Sequence, residues 1–472
     1  MMRTLAALLV TCCTSPQIPA QEQTVPGMTG LVDELIGMQK LHRVPALGLA
    51  LFRNGEPVLI GAYGTADKDT PLRWGSISKS FTALAALNLA QERQLPLTTP
   101  VAALLQQQYF HNPWSRTDPV RLIHLLELTA GFSDLSRAEF DDNEPLPLSA
   151  ALTRGAANRD LRWPPGWQHS YTNVAPGITA AVIEALSEQT FEQYMTDAVL
   201  QPLHMPAASF EPVPGLPGGF RADGTTPIPY WHMTFRAFGA LNASIAEMGN
   251  FVSMLLNEGR LRGRQVFAPE VIARMHTPGS SLGARAGLAL TYAAGLYPWI
   301  RDGHVIWGHG GDADGYRSRY GLQFEAGRGY LLVINTDNPG LLRRMHRRIE
   351  GWMLSDLQSA APPAVSRDSD LQRYAGEYYP SSARFGLNGW LAGESPGIRI
   401  RATDQYLEVL ADNRSTRLYP LGDGRFRRRE DPGTTVVFVD TGALLLMQGE
   451  LGNHVNLSRT PCPAFLRLCP RE

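Results

Sequence analysis

Three segments of this chain carry side chains whose types and spacing permit nucleophilic chemistry, and the first is Trp74-Gly75-Ser76-Ile77-Ser78-Lys79-Ser80-Phe81-Thr82. Ser76 directly follows a glycine. It opens an Ala- and Leu-rich stretch, free of Pro and Gly, that runs to Gln91 and whose composition predicts a helix. Lys79 then projects from the same helical face about one turn on. A serine hydroxyl is a poor nucleophile until a neighbouring base takes its proton. A lysine is such a base only if its pKa falls from about 10.4 towards neutrality. Burial and the positive end of a helix both push it down. The same helix end offers the backbone N–H of Ser76 to a developing oxyanion. An ordinary structural reading competes, because serine is a favoured helix N-cap and lysine a common exposed helix residue. The scarcity of lysine counts against it. Only Lys40, Lys68 and Lys79 are lysines among 43 basic residues, so a solvated face in this chain would more often carry arginine.

Two further segments add weight. One is Pro164-Pro165-Gly166-Trp167-Gln168-His169-Ser170-Tyr171-Thr172-Asn173. The other is Trp307-Gly308-His309-Gly310-Gly311-Asp312-Ala313-Asp314-Gly315-Tyr316-Arg317-Ser318. With these in place, the sequence resembles the penicillin-recognising serine hydrolase superfamily, which groups class C β-lactamases, DD-peptidases, D-aminopeptidases and β-lactamase-fold esterases. The signatures of that superfamily are Ser-x-x-Lys, Tyr-x-Asn and a Lys/His-x-Gly strand. They occur here in order at Ser76–Lys79, Tyr171–Asn173 and His309–Gly311, with Leu122 to Gly131 and Pro164-Pro-Gly166 as supporting likenesses. The resemblance spans residues 28 to 356.

The resemblance implies a role for each residue. Ser76 attacks a carbonyl and is acylated. Lys79 accepts or relays the proton. Tyr171 shares that work as phenolate or as a hydrogen-bonded relay, and later protonates the leaving group and activates water. Which of Lys79 and Tyr171 is the principal base stays open at this point. Asn173 holds Lys79 and binds the substrate amide or ester. His309 sits across the cleft on a strand edge, Gly310 and Gly311 let the backbone approach the substrate, and the N–H of Asp312 is the second oxyanion donor. The departure is at His309, where many relatives have lysine. A histidine holds less positive charge at pH 7 for a substrate carboxylate. That favours esters, D-amino peptides or a less anionic acyl donor over potent β-lactam hydrolysis. Arg317 and Arg319 alternate on the following strand and are candidates for a replacement charge, or else a solvated face.

Other candidates carry less. Asp312-Ala-Asp314-Gly315 lacks the length and the terminal glutamate of a calcium loop. His232 reads as packing or loop lining and His124 as a hydrogen-bonded core histidine, while Asp134 shapes the cleft without being catalytic. No Gly-x-Ser-x-Gly elbow, phosphate-binding glycine loop or zinc signature occurs. No cofactor and no metal are expected. The expected function is an exported serine hydrolase acting through an acyl-enzyme on Ser76 and cleaving an ester or amide, as esterase, D-amino peptidase or weak β-lactamase. The rival is a non-catalytic envelope protein that binds peptidoglycan or a protein partner.

The elements that must position these residues are also readable. Leu31, Leu35, Ile36 and Met38 mark a helix over 28–42. Asn54-Gly55 between two apolar runs marks a hairpin over 46–63. Further helices are expected around 122–128, 178–186 and 240–256, the last with Ser244 as N-cap. Residues 211–228 read as a long Pro- and Gly-rich loop over a cleft. Strands return at 305–307, 317–324 and 330–335, before an amphipathic helix over 341–357 with Arg343, Arg344, Arg347 and Arg348 as its basic face. The fold class is α+β, an antiparallel sheet flanked by helices as in β-lactamases and DD-peptidases, followed by a small all-β C-terminal domain. The expected organisation is a signal peptide over 1–20, a hydrolase domain over 28–357, a linker over 358–369 and a β-rich, lipocalin-like domain over 370–472.

The 472 residues, 44% apolar and 18% charged with a formal net charge of -1, have ample material for a core and no global attraction to nucleic acid. The start, one arginine followed by a short apolar run and Ala20, reads as a secretory signal peptide, so the protein is expected to be periplasmic or secreted. Cys12 and Cys13 offer a lipid-anchor site, with cleavage near Ala20 preferred. Cys462 and Cys469 are expected to form a short-loop disulfide in that compartment. The expected partner is a small-molecule or short-peptide acyl substrate, with no nucleic acid and no membrane span.

Overall fold

The computed structural model describes residues 25–142, 144–366, 370–384, 397–411, 414–449 and 456–459. The expected signal peptide over 1–20 with Cys12 and Cys13, and the disulfide expected between Cys462 and Cys469, lie outside the described residues. Among the described residues no helix is long and apolar enough to cross a membrane.

The elements follow the apolar periodicities. Helix α1 (Met28–Leu41) leads into strands β1 (Ala46–Arg53) and β2 (Glu56–Gly64). Asn54 and Gly55 join the strands with φ of 52° and 77°, the positive values that a tight two-residue hairpin turn needs. After β3 (Pro71–Arg73) comes α2 (Ser78–Glu92), and later α3 (Val174–Ser187), β4 (Asn242–Ser244) and α4 (Ile245–Leu256). Ser244 caps α4 as the sequence predicts, its hydroxyl accepting from the Glu247 N–H while the Glu247 carboxylate accepts from the Ser244 N–H. Strands β5 (Tyr297–Arg301), β6 (His304–Ala313), β7 (Tyr316–Gln323) and β8 (Arg328–Ile334) precede α5 (Pro339–Leu354).

These strands form a six-stranded sheet in the order β5-β6-β7-β8-β1-β2, antiparallel throughout. Its two faces sort by alternate residues. Leu47, Leu49 and Leu51 of β1, with Tyr330, Leu332 and Ile334 of β8, pack on α1 and on Leu341, Met345, Ile349 and Met353 of α5. Ala46, Ala50, Phe52, Leu331 and Val333 point the other way, into the larger core that holds α2, α3 and α4. The basic face of α5 meets α1, where Arg348 pairs with Glu34 at 2.7 Å and Arg344 meets His42 at 2.9 Å. The fold class is therefore α+β, with helices on both faces of an antiparallel sheet.

Residues 355–366 are mostly exposed and lead into a closed eight-stranded antiparallel barrel. Its strands are β9 (Gly376–Pro380), β10 (Ile398–Ala402), β11 (Leu407–Ala411), β12 (Arg414–Gly422), β13 (Arg425–Arg427), β14 (Val436–Asp440), β15 (Leu445–Gly449) and β16 (Leu457–Ser458). Tyr374, Tyr378, Leu407, Leu418, Phe426 and Phe438 fill its core. The 211–228 stretch is less irregular than its composition predicts. Its Gly219–Arg221 pairs with Pro227–Ile228 and, in parallel, with Thr336–Asp337, which satisfies backbone groups that a bare loop would leave to water.

Candidate active site

The segment bearing Ser76 is pinned from three sides. β3 pairs with β4, the Trp74 N–H donates to Leu241 O at 3.0 Å, and the Trp74 indole donates to Ala243 O at 2.9 Å. Ser318 Oγ of β7 donates to Trp74 O at 2.8 Å. Buried Arg73 pairs with buried Asp314 at the β6–β7 turn, with the Tyr230 ring over its guanidinium. Gly75, with φ +54°, then turns the chain into a single 3₁₀ turn that carries Ser76 to the start of α2. A Cβ at Gly75 would lie 2.6 Å from the Asp312 nitrogen, so the turn rests directly on β6.

Lys79 is 3% exposed and is held at three points. Its Nζ donates to Asn173 Oδ1 at 2.6 Å and Phe238 O at 3.1 Å and is within hydrogen-bond reach of Ser76 Oγ at 3.1 Å. Burial pushes its pKa well below the usual lysine range, against the opposing pull of Asp134. Asn173 stands at the start of α3. Its backbone N–H and Nδ2 both donate to the buried Asp134 carboxylate, at 2.6 and 3.2 Å. Tyr171 is hydrogen-bonded to Ser76, and burial pushes its phenol up, which keeps the proton on oxygen near neutral pH. Lys79 Nζ lies 4.8 Å from the centre of the Tyr171 ring.

His309, on β6, is buried among tyrosines. Its Nε2 is 3.3 Å from the Tyr292 hydroxyl and its Nδ1 is 2.6 Å from Gly310 O, which makes Nδ1 the donor. The Tyr297 ring centre is 5.1 Å away and the Tyr171 ring centre 6.1 Å. β5 pairs with β6 only as far as Gly308, so the outer edge of Gly310 to Ala313 faces the cleft. That cleft, of about 820 Å³, exposes Ser76, Tyr171, His309 and Gly310 to Asp312, under aromatic walls that include Phe140, Trp231, Tyr292 and Tyr297.

The structure thus brings Ser76, Lys79, Tyr171, Asn173, His309, Gly310, Gly311 and Asp312 into one place. It differs from the sequence reading at three points. Gly311 lines the cleft, but its missing side chain also serves packing. A Cβ there would lie 1.9 Å from Trp74 O, so its hydrogen lets β6 close on the turn that bears Ser76. Asn173 has both ends of its amide engaged inside the protein and does not line the cleft, so it holds Lys79 rather than a substrate. Arg317 supplies no uncommitted charge, and Arg319, which lines the cleft, lies against an aromatic ring. Arg317 is paired with Asp312 at 2.5 Å and with Asp337, and Arg319 is stacked 4.0 Å from the Trp299 ring centre. His124 is the buried histidine expected, its Nδ1 accepting from the Arg121 N–H at 3.2 Å and its pKa lowered to about 4 by burial.

Three side chains of the site lie outside the sequence reading or are undervalued by it. Asp134 stands beside the Ala130-Gly131-Phe132 stretch and is the anchor of Asn173. Tyr292 frames His309. Arg384, from beyond β9, lies over the Tyr171 ring at 4.9 Å and lines the cleft. Nothing in its sequence neighbourhood marks it, because its partner Asp134 is 250 residues away.

Comparison with known proteins places these features in context. A family model described as Beta-lactamase matches residues 31–350. Protein flp of Staphylococcus aureus (strain N315) is 24% identical over 339 residues, covering 67% of this chain and 66% of that protein, so the chain spans just under two thirds of the length of these curated relatives. A Beta-lactamase of Yersinia enterocolitica is 28% identical over 170 residues, 34% of this chain and 41% of that one. Among solved structures, the octameric penicillin-binding protein homologue from Pyrococcus abyssi superposes with a TM-score of 0.57 at 20% identity, covering 91% of this chain and 99% of that chain. SurE with D-Leu superposes with a TM-score of 0.59 at 19% identity, covering 92% and 99%. At these identities the structures share the fold alone.

Proposed function

The chain belongs to the Beta-lactamase family, and we propose that it is an exported serine hydrolase that cleaves an ester or amide through an acyl-enzyme on Ser76. One observation carries this reading: a buried lysine, its pKa pushed well below the usual lysine range by desolvation, stands 3.1 Å from the hydroxyl of a serine that opens onto a cleft. Ser76 Oγ bonds to the substrate carbonyl carbon as its proton passes to Lys79 Nζ. The oxyanion faces the N–H groups of Ser76 and Asp312. The Tyr171 phenol, hydrogen-bonded to Ser76, relays a proton to the leaving alcohol or amine. Water, giving its proton to the same pair, then releases the acid.

The cleft favours a small-molecule or short-peptide acyl donor with an apolar acyl part, given its aromatic walls. His309 in its tyrosine cage, with Arg317 already paired to two carboxylates, favours esters and D-amino peptides over anionic β-lactams. Export to the periplasm or medium rests on the leader sequence, and the N-terminal mass of the mature protein tests it.

The function is tested by incubating the protein with a fluorophosphonate and with an acylating β-lactam, then mapping peptides by mass. A single adduct on Ser76, absent from Ser76→Ala, is expected. Wild type is expected to turn over p-nitrophenyl butyrate or D-alanyl-p-nitroanilide faster than nitrocefin, with turnover falling at least about 10³-fold in Ser76→Ala. No adduct at Ser76 with any acyl donor overturns the reading.

A further inference from the structure

We propose that Arg384, contributed by the C-terminal barrel domain, is a positioning residue for the Ser76–Lys79 pair and acts on it through Asp134 and Asn173. The inference rests on the acyl-enzyme reading above and deepens it, because it makes the hydrolase site dependent on the second domain.

The connection is continuous. Arg384 Nε donates to Asp134 Oδ2 at 2.6 Å. The Asp134 carboxylate, its side chain fully buried, accepts from Asn173 N and Nδ2 and from Leu135 N at 2.9 Å. Asn173 Oδ1 in turn accepts from Lys79 Nζ, whose next contact is Ser76 Oγ. A buried carboxylate needs a cation or a full set of donors. The other cation nearby is Arg162, whose nitrogens are spent on Gly131 O, Phe132 O, Ser170 Oγ and Ala383 O. Arg384 is therefore the ion-pair partner of Asp134.

The placement of Arg384 is built rather than incidental. The backbone around it is held to the hydrolase domain by hydrogen bonds: Asp134 N donates to Arg384 O at 3.0 Å and the Gln168 side chain, through Nε2, to Ser381 O at 3.1 Å. Asn456 Nδ2 of the barrel donates to His169 O at 2.8 Å.

The electrostatic consequence has a definite sign. The charged and titratable groups around Lys79 are Asp134, Asp312 and Arg384, with Tyr171 against it, Arg162 behind Asp134 and His309 across the cleft. Asp134 and Asp312 favour the protonated lysine and Arg384 opposes it. With Arg384 removed, burial is left to oppose Asp134 and Asp312 with one cation fewer, the lysine holds its proton to higher pH, and Ser76 gains its base only at higher pH.

The test is the pH dependence of fluorophosphonate labelling at Ser76 in wild type, Arg384→Met, Arg384→Lys and Gln168→Ala. The expected result is an acid limb displaced upward by about one pH unit in Arg384→Met, which is about tenfold slower labelling on that limb. Arg384→Lys should restore most of it. Gln168→Ala, which disturbs the same domain contact without touching Asp134, should keep the wild-type limb. An unchanged limb in Arg384→Met, or an equal displacement in Gln168→Ala, overturns the proposal.

A second measurement needs no activity. The difference in melting temperature between each background and its Lys79→Met variant rises with pH once the folded lysine begins to lose its proton, because the unfolded chain still holds one. That rise should begin at higher pH in the Arg384→Met background, and identical onsets overturn the proposal. If wild type is not labelled at all, the acyl-enzyme reading fails on its own, and the melting experiment still decides the part played by Arg384.

Discussion

At the scale of single residues, the site sets two basic groups against each other by environment. Lys79 and Tyr171 are both packed against Ser76, and burial moves both towards their neutral forms: the lysine pKa down, the phenol pKa up. Neutral lysine is a base and neutral phenol is a hydrogen-bond donor, so in the proposed reaction the same desolvation suits Lys79 to accept the Ser76 proton and Tyr171 to relay it. The sign follows for pH. Lys79 is active above its lowered pKa, so acylation rises as pH rises through that value and is lost below it. Lys79→Arg should abolish Ser76 labelling, a loss of about 10³-fold or more, because a guanidinium does not give up its proton. Tyr171→Phe should slow labelling about 10- to 100-fold yet keep the same acid limb. If a tyrosinate were the base, Tyr171→Phe would remove the limb, and a pH profile of the labelling rate separates the two.

At the scale of elements, the decisive contact is between the Trp74–Ser76 turn and strand β6. Two glycines make it possible, Gly75 on the turn and Gly311 on the strand, and each places its α-carbon against backbone of the other element. Gly311→Ala would put a methyl 1.9 Å from Trp74 O and 2.4 Å from Ser318 Oγ, so the strand must move away and take the Asp312 N–H with it. Acylation is expected to fall about 100-fold with the far-UV circular dichroism unchanged, since a shift of about 1 Å costs that much. Gly310→Ala, where the nearest atom is the Tyr297 hydroxyl at 3.2 Å, should cost less than about tenfold. Labelling rates of the two variants check the contrast. The sequence displays the glycine pair but not the surface each one serves, because which glycine faces protein depends on how two elements far apart in the chain come together. Local features are readable where local physics is decisive: the Asn54-Gly55 turn between two apolar runs and Ser244 as the N-cap of α4. Strands β12 and β13 carry little local signal because arginines and Pro420 break their alternation, and closure of the barrel supplies the pairing that propensity does not.

At the scale of the molecule, the exposed composition of residues 358–366 marks a linker, and two domains are legible on either side of it. That the second domain completes the site of the first is not legible. The joining groups are Gln168, Ser381, Gln448 and Asn456, ordinary polar residues bonded across separations of 213 to 287 residues. No periodicity or motif connects them. The contacts of Gln168, Ser381 and Asn456 are buried, so removing one leaves its partner unsatisfied at a cost of roughly 1–3 kcal/mol. The linker itself adds little to them. A protease site placed among the exposed residues 358–361 should therefore be cleavable without consequence. The two pieces should elute together on gel filtration, and Ser76 should label at the uncut rate. In a Gln168→Ala/Asn456→Ala background the cut pieces should separate and labelling at neutral pH should fall, because Arg384 leaves with the barrel and Asp134 loses its counter-charge. Separation of the wild-type pieces, or full labelling after separation in the double variant, would mean that the hydrolase domain holds its site without the barrel.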